Sequence, residues 1–135
     1  MNSQSSTPTG IGYLVVRAST ARGALPLEGA RVNIRGASPD TSGINLALVT
    51  DSAGLTKKVA LPAPPRVLSE SPSIIIPYSL YDVDVFKKGY GDLHFSRVSV
   101  FDSITSIQPA VMIPLADNEF TDNYAPGNGY SPSDI

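Results

Sequence analysis

The sequence predicts an all-β domain, a seven-stranded Greek-key β-sandwich flanked by two extended arms. Three observations carry this. Apolar and polar residues alternate at period two in seven short segments between residues 10 and 116, the pattern of strands with one face buried. Gly, Pro, Asp or Ser bounds each segment, and these are the residues that turn a chain. No stretch of helical period and useful length lies among them. At 135 residues the chain is the size of a single domain.

Taken in order, residues 1–9 are small, polar and proline-containing, and are expected to form a flexible arm because they bury too little apolar surface to order themselves. Asn2 is too bulky for ready removal of Met1, so an unprocessed start is expected. The first strand segment, "GYLVVRAST", alternates Leu14, Val16 and Ala18 with Tyr13, Val15 and Arg17. "ARVNIRG" sets Val32 and Ile34 against Arg31, Asn33 and Arg35, so one of its faces is wet. "INLALVT" and "LTKKVALP" flank "DSAG", which reads as a tight hairpin: Asp51 suits the first turn position and Gly54 the left-handed one.

Residues 62–77 hold five prolines, which argues against a central strand and for a long surface crossing. "YSLYDVDVFKKGY" is the clearest strand, with Tyr81, Val83 and Val85 on the core side and Asp82 and Asp84 opposite. "LHFSRVSVFD" and "SIQPAVMIPL" complete the seven. The last places Val111, Ile113 and Leu115 on one side and Met112 on the other.

Composition narrows the function classes. A net charge of -2, with 41% hydrophobic and 16% charged residues, gives no electrostatic reason to expect nucleic acid or an anionic membrane as partner. The chain has no cysteine, which removes disulfides, thiol nucleophiles and thiolate metal sites together. No segment approaches the ~20 apolar residues of a membrane helix, and the N-terminus lacks the basic and apolar regions of a classical signal peptide.

The segments "PLEGARVNIRG", "TDSAGLTKKVALPAP", "YDVDVFKKGY" and "VSVFDSITSIQPAVMIPL", in this order and spacing, resemble the carboxypeptidase-regulatory or transthyretin-like domain over about residues 10–116. The closest form is the one beside spore cortex-lytic and other peptidoglycan-processing proteins. The resemblance implies a seven-stranded sandwich acting as an accessory or structural module at a bacterial cell or spore surface, reached without a classical signal peptide. No hydrolase or wall-binding domain is expected beside it within these 135 residues. Ureide-hydrolysing relatives of the transthyretin fold carry several histidines and a characteristic C-terminal tetrapeptide; this chain has one histidine and closes on "SPSDI".

Candidate chemistry is sparse, so no catalytic, cofactor-binding or metal-ligating residues are assigned and the chain is expected not to be an enzyme. His94 is the sole histidine, and a strand or loop position explains it. Asp82 and Asp84 share a strand face and could hold calcium; a solvent-facing charged stripe pairing with Lys57 or Lys58 also accounts for them. Tyr13, Tyr78, Tyr81 and Tyr90 could offer a sugar platform, but strand packing explains them too.

The remaining candidate is the segment 117–135. Extended, it spans ~60 Å at ~3.3 Å per residue, beyond the ~35–40 Å width of such a domain, so it can reach a neighbour. Phe120, Tyr124, Tyr130 and Ile135 recur in it as spaced anchors. The expectation is therefore a structural protein that associates with itself through sandwich edges and arms into a filament, tube or surface assembly. The alternative is an accessory module that binds peptidoglycan or another glycan.

Overall fold

A computed structural model of the chain describes residues 10–65 and 78–115. The two expected layers are present, with eight strands among the described residues instead of seven. The first sheet contains β1 (Gly10–Thr20), β2 (Leu25–Pro26), β5 (Val59–Ala63) and β8 (Thr105–Val111). The second has the order β4 (Asn45–Val49), β3 (Arg31–Gly36), β6 (Tyr78–Phe86) and β7 (Leu93–Phe101). The additional strand is β2, two residues that pair with the end of β1 at Ser19 and Thr20. So short a segment carries no period-two signal.

The alternating residues close the core as expected. Leu14, Val16 and Ala18 from β1, Val32 and Ile34 from β3, and Tyr81, Val83 and Val85 from β6 are all buried. Tyr81 also ties the layers together by a polar bond. Its hydroxyl donates to the Pro62 carbonyl of β5 at 2.6 Å, so a buried O–H and a strand carbonyl satisfy each other.

The "DSAG" turn forms, but it does not make a hairpin. Asp51 Oδ1 accepts the N–H groups of Ala53 and Leu55, and Gly54 takes φ +79°. However, β4 and β5 lie in different sheets, so this turn starts a crossing from one layer to the other. Buried threonines bracket the crossing: Thr50 Oγ1 accepts from Ala30 N–H and donates to the Leu27 carbonyl, while Thr56 Oγ1 accepts from Val16 N–H.

Two further differences concern proline and register. β5 runs through Pro62 to Ala63, inside the stretch expected to be only a crossing. Paired among the described residues only to β1, it sits at an edge and tolerates the missing N–H. β8 runs parallel to β1, from Tyr13↔Thr105 to Ser19↔Val111. This register turns Ala110 and Met112 into the core and leaves Val111, Ile113 and Leu115 outside. The face of the last segment that is richer in aliphatics is therefore the outer one.

Candidate functional site

The wet faces of β3 and β6 meet on the outside of the second sheet. β3 and β6 are antiparallel neighbours with Arg35↔Asp82 and Asn33↔Asp84 in register, so the basic stripe of one strand lies against the acidic stripe of the other. Arg35 Nη2 donates to Asp84 Oδ2 at 2.7 Å. On the other flank, His94 Nδ1 of β7 lies 2.5 Å from Asp84 Oδ1. Partial burial works against ionisation of Asp84, but the hydrogen bonds from His94 and Arg35 outweigh it and hold its carboxyl below the usual carboxylate range. The group remains an anion at neutral pH, clamped between two donors.

Asp82 has a different task. Between Tyr81↔Val98 and Val83↔Phe95 the register of β6 and β7 shifts, so Asp82 faces Ser96 and Arg97 together, a β-bulge. Arg97 takes φ +60° there, and its N–H donates to Asp82 Oδ1 at 3.2 Å. The aspartates do share the outer face, as expected, but neither pairs with Lys57 or Lys58. Lys58 instead lies over the Tyr13 ring at 5.0 Å. Asp82 and Asp84 each engage N–H donors, and among the described residues no cluster of three or more His, Asp or Glu side chains is arranged for a metal ion.

Beside Asp84 the outer face of this sheet is hollowed into a concavity of about 550 Å³. Ala47, Val49 and Phe86 give it apolar walls, and Arg31, Asn33 and Asp92 contribute polar groups. The Arg31 guanidinium lies over the Phe86 ring, 5.6 Å from its centroid. Among the described residues the imidazole of His94 is hydrogen-bonded by Asp84 alone.

The outer face of the first sheet is different in kind. Ile107, Pro109 and Val111 of β8 lie beside Val15, Arg17 and Ser19 of β1. Ile107 is 55% exposed, Ile113 71% and Leu115 61%, with Ile11 and Val111 also open to solvent. Among the described residues β8 pairs only with β1, which leaves its other edge open over Thr105–Val111; just beyond it the Ile113 carbonyl and the Leu115 N–H are bonded to Gly91 and Gly89. The anchors proposed from the sequence, Phe120, Tyr124, Tyr130 and Ile135, lie outside the described residues.

Sequence reading missed Arg35 as the partner of Asp84, and it missed the exposed row on β8. The first was signalled by two period-two stripes of opposite charge, needing only the knowledge that their strands are neighbours. The second follows from the parallel register of β1 and β8, which no local pattern encodes.

No family model matches the chain, and no curated protein matches it. Solved structures share its fold. The TIE protein of Bacillus anthracis aligns over 78% of this chain with TM-score 0.52 and 14% identity. A 3-chlorocatechol 1,2-dioxygenase from Rhodococcus opacus aligns over 83% with TM-score 0.56 and 9% identity, and a catechol 1,2-dioxygenase from Acinetobacter over 92% with TM-score 0.57 and 14% identity. The chain spans 17% of the TIE protein's chain and 62% and 60% of the two dioxygenase chains. At such identities the likeness is one of fold. It nevertheless corrects the expectation that the chain is not an enzyme, which rested on reading the sandwich as an accessory or structural module: the same fold forms much of enzyme chains, so it excludes no catalytic role. What the comparisons establish is a β-sandwich.

Proposed function

We propose that this protein is a structural β-sandwich that associates with itself into an extended assembly, through the outer face and free edge of β8 together with its terminal segments. The observation that carries this reading is the exposed row begun by Ile107 and Val111 and continued by Ile113 and Leu115, beside the Thr105–Val111 edge of β8, which no described strand pairs. Contiguous exposed aliphatics mark interaction surfaces, and an open strand edge is a template for another chain. A second contact through the 117–135 segment, with Phe120, Tyr124, Tyr130 and Ile135 as anchors, makes the association heterologous. Repeated heterologous contacts give rings or open helical polymers. A bacterial cell or spore surface is the setting the sequence resemblance favours.

Negative-stain electron microscopy of the concentrated protein, with and without residues 118–135, tests the reading. Regular filaments, tubes or sheets are expected from the full chain, and short or disordered assemblies from the truncated one. Discrete single particles from both would refute it.

A further inference from the structure

The concavity on the second sheet lies where the described chain ends. Leu115 N–H donates to the Gly89 carbonyl at 2.8 Å, and Gly91 N–H donates to the Ile113 carbonyl at 2.9 Å. These two bonds pin residues 113–115 to the turn between β6 and β7. Phe86 immediately precedes that turn and Asp92 immediately follows it, and both line the concavity. The last described residue, Leu115, therefore lies beside the turn that borders an apolar-walled hollow.

Its chemistry matches that hollow. Val49 and Phe86 are 59% and 44% exposed, open apolar surface of the kind an aromatic side chain covers. The segment offers Phe120, Tyr124 and Tyr130. It also carries Asp117, Glu119, Asp122 and Asp134 with no lysine or arginine, whereas Arg31 lines the hollow and Lys87 and Lys88 occupy the adjoining turn. Asp84, the acid at the centre, is already met by Arg35 and His94. Asp92 also lines the hollow, so its charges largely offset one another and the match to the segment is aromatic rather than electrostatic.

We infer that this concavity is the receiving site for the 117–135 segment of a second copy of the chain, an inference that rests on the self-association proposed above. The contacts made in a neighbour are those the segment would make on its own sandwich, so exchange adds little cost. Once the β8 face holds two copies together, the neighbour's concavity is present at high effective concentration. From Leu115 to Tyr124 the extended chain covers ~30 Å at ~3.3 Å per residue, enough to cross a subunit boundary.

The absence of cysteine allows a direct test. Full-length Val49→Cys and Tyr124→Cys chains are mixed in equal amounts under mild oxidation, and mixed disulfide dimers are counted by mass spectrometry. A Gly43→Cys and Tyr124→Cys mixture serves as reference, because Gly43 is exposed with open space around it, precedes the end of β4 opposite Val49, and belongs to neither proposed contact. The expected yield of the Val49–Tyr124 dimer is at least tenfold above the reference. Equal yields overturn the inference, as does a Val49→Cys/Tyr124→Cys double variant that closes only within its own chain. If light scattering shows oligomers without this cross-link, the site is wrong while self-association stands; if the chain stays monomeric at every concentration, both fall.

Discussion

Tyr81 and Asp84 show how single side chains serve this fold in opposite ways. Burial, followed by the negative charge of Asp40, pushes the Tyr81 hydroxyl up to about 12 from its ordinary 10.0. The folded protein thus holds this proton more tightly than the unfolded chain. The stability it contributes is fully present below pH 10 and is lost as pH rises toward 12. Tyr81→Phe should cost about 1–2 kcal/mol at neutral pH, because the Pro62 carbonyl loses its donor, and should weaken the alkaline unfolding step; denaturant titrations at pH 7 and pH 11 check both. For Asp84 the sign is reversed. Its carboxyl lies below its ordinary 3.8 in the folded protein, so its contribution is present above that value and is lost as pH falls through the native pKa. The side chain is well exposed, so solvent screening keeps the contribution under about 1 kcal/mol. Asp84→Asn should flatten the acid limb of the stability profile below pH 4 and leave the alkaline limb unchanged, as urea midpoints across pH would show.

Elements are held in place by backbone proximity as much as by side-chain pattern. Gly36 ends β3 where a Cβ would lie 1.6 Å from the Thr41 carbonyl oxygen, so the turn at Pro39–Thr41 fits only against a bare backbone. Gly36→Ala should destabilise the protein by about 3 kcal/mol, the upper range for overpacking, and thermal unfolding measures it. The strands themselves were legible in the sequence: the alternation in residues 12–20, 30–36 and 78–86 reports burial on one face, and the structure buries those residues. Sheet membership was not legible. The turn chemistry of Asp51 and Gly54 is the same whether the following strand folds back beside its predecessor or crosses to the other layer. That choice is made by distant contacts such as Arg17↔Leu55 and the Val16–Thr56 bonds. The partner of Asp84 was hidden for the same reason, since Arg35 is distant in sequence and meets it only after β3 and β6 pair.

At the scale of the whole molecule, the two outer faces divide the labour. The second sheet is charged and neutralised by its own cross-strand partners, with Arg35, Asp84 and His94 joined across three strands. The first exposes aliphatics beside an edge that no described strand covers. Burying Ile107 and Ile113 against another copy would gain about 1.5–3 kcal/mol each by removal from water, so replacing both removes most of what holds that contact together. The measurement closest to the central claim is the solution mass of Ile107→Lys/Ile113→Lys beside the parent chain, by light scattering across a hundredfold range of concentration. Both positions are exposed, so the variant should unfold at nearly the same temperature as the parent. The account predicts a parent mass that climbs with concentration and a variant that remains monomeric; equal masses for the two at every concentration would contradict it.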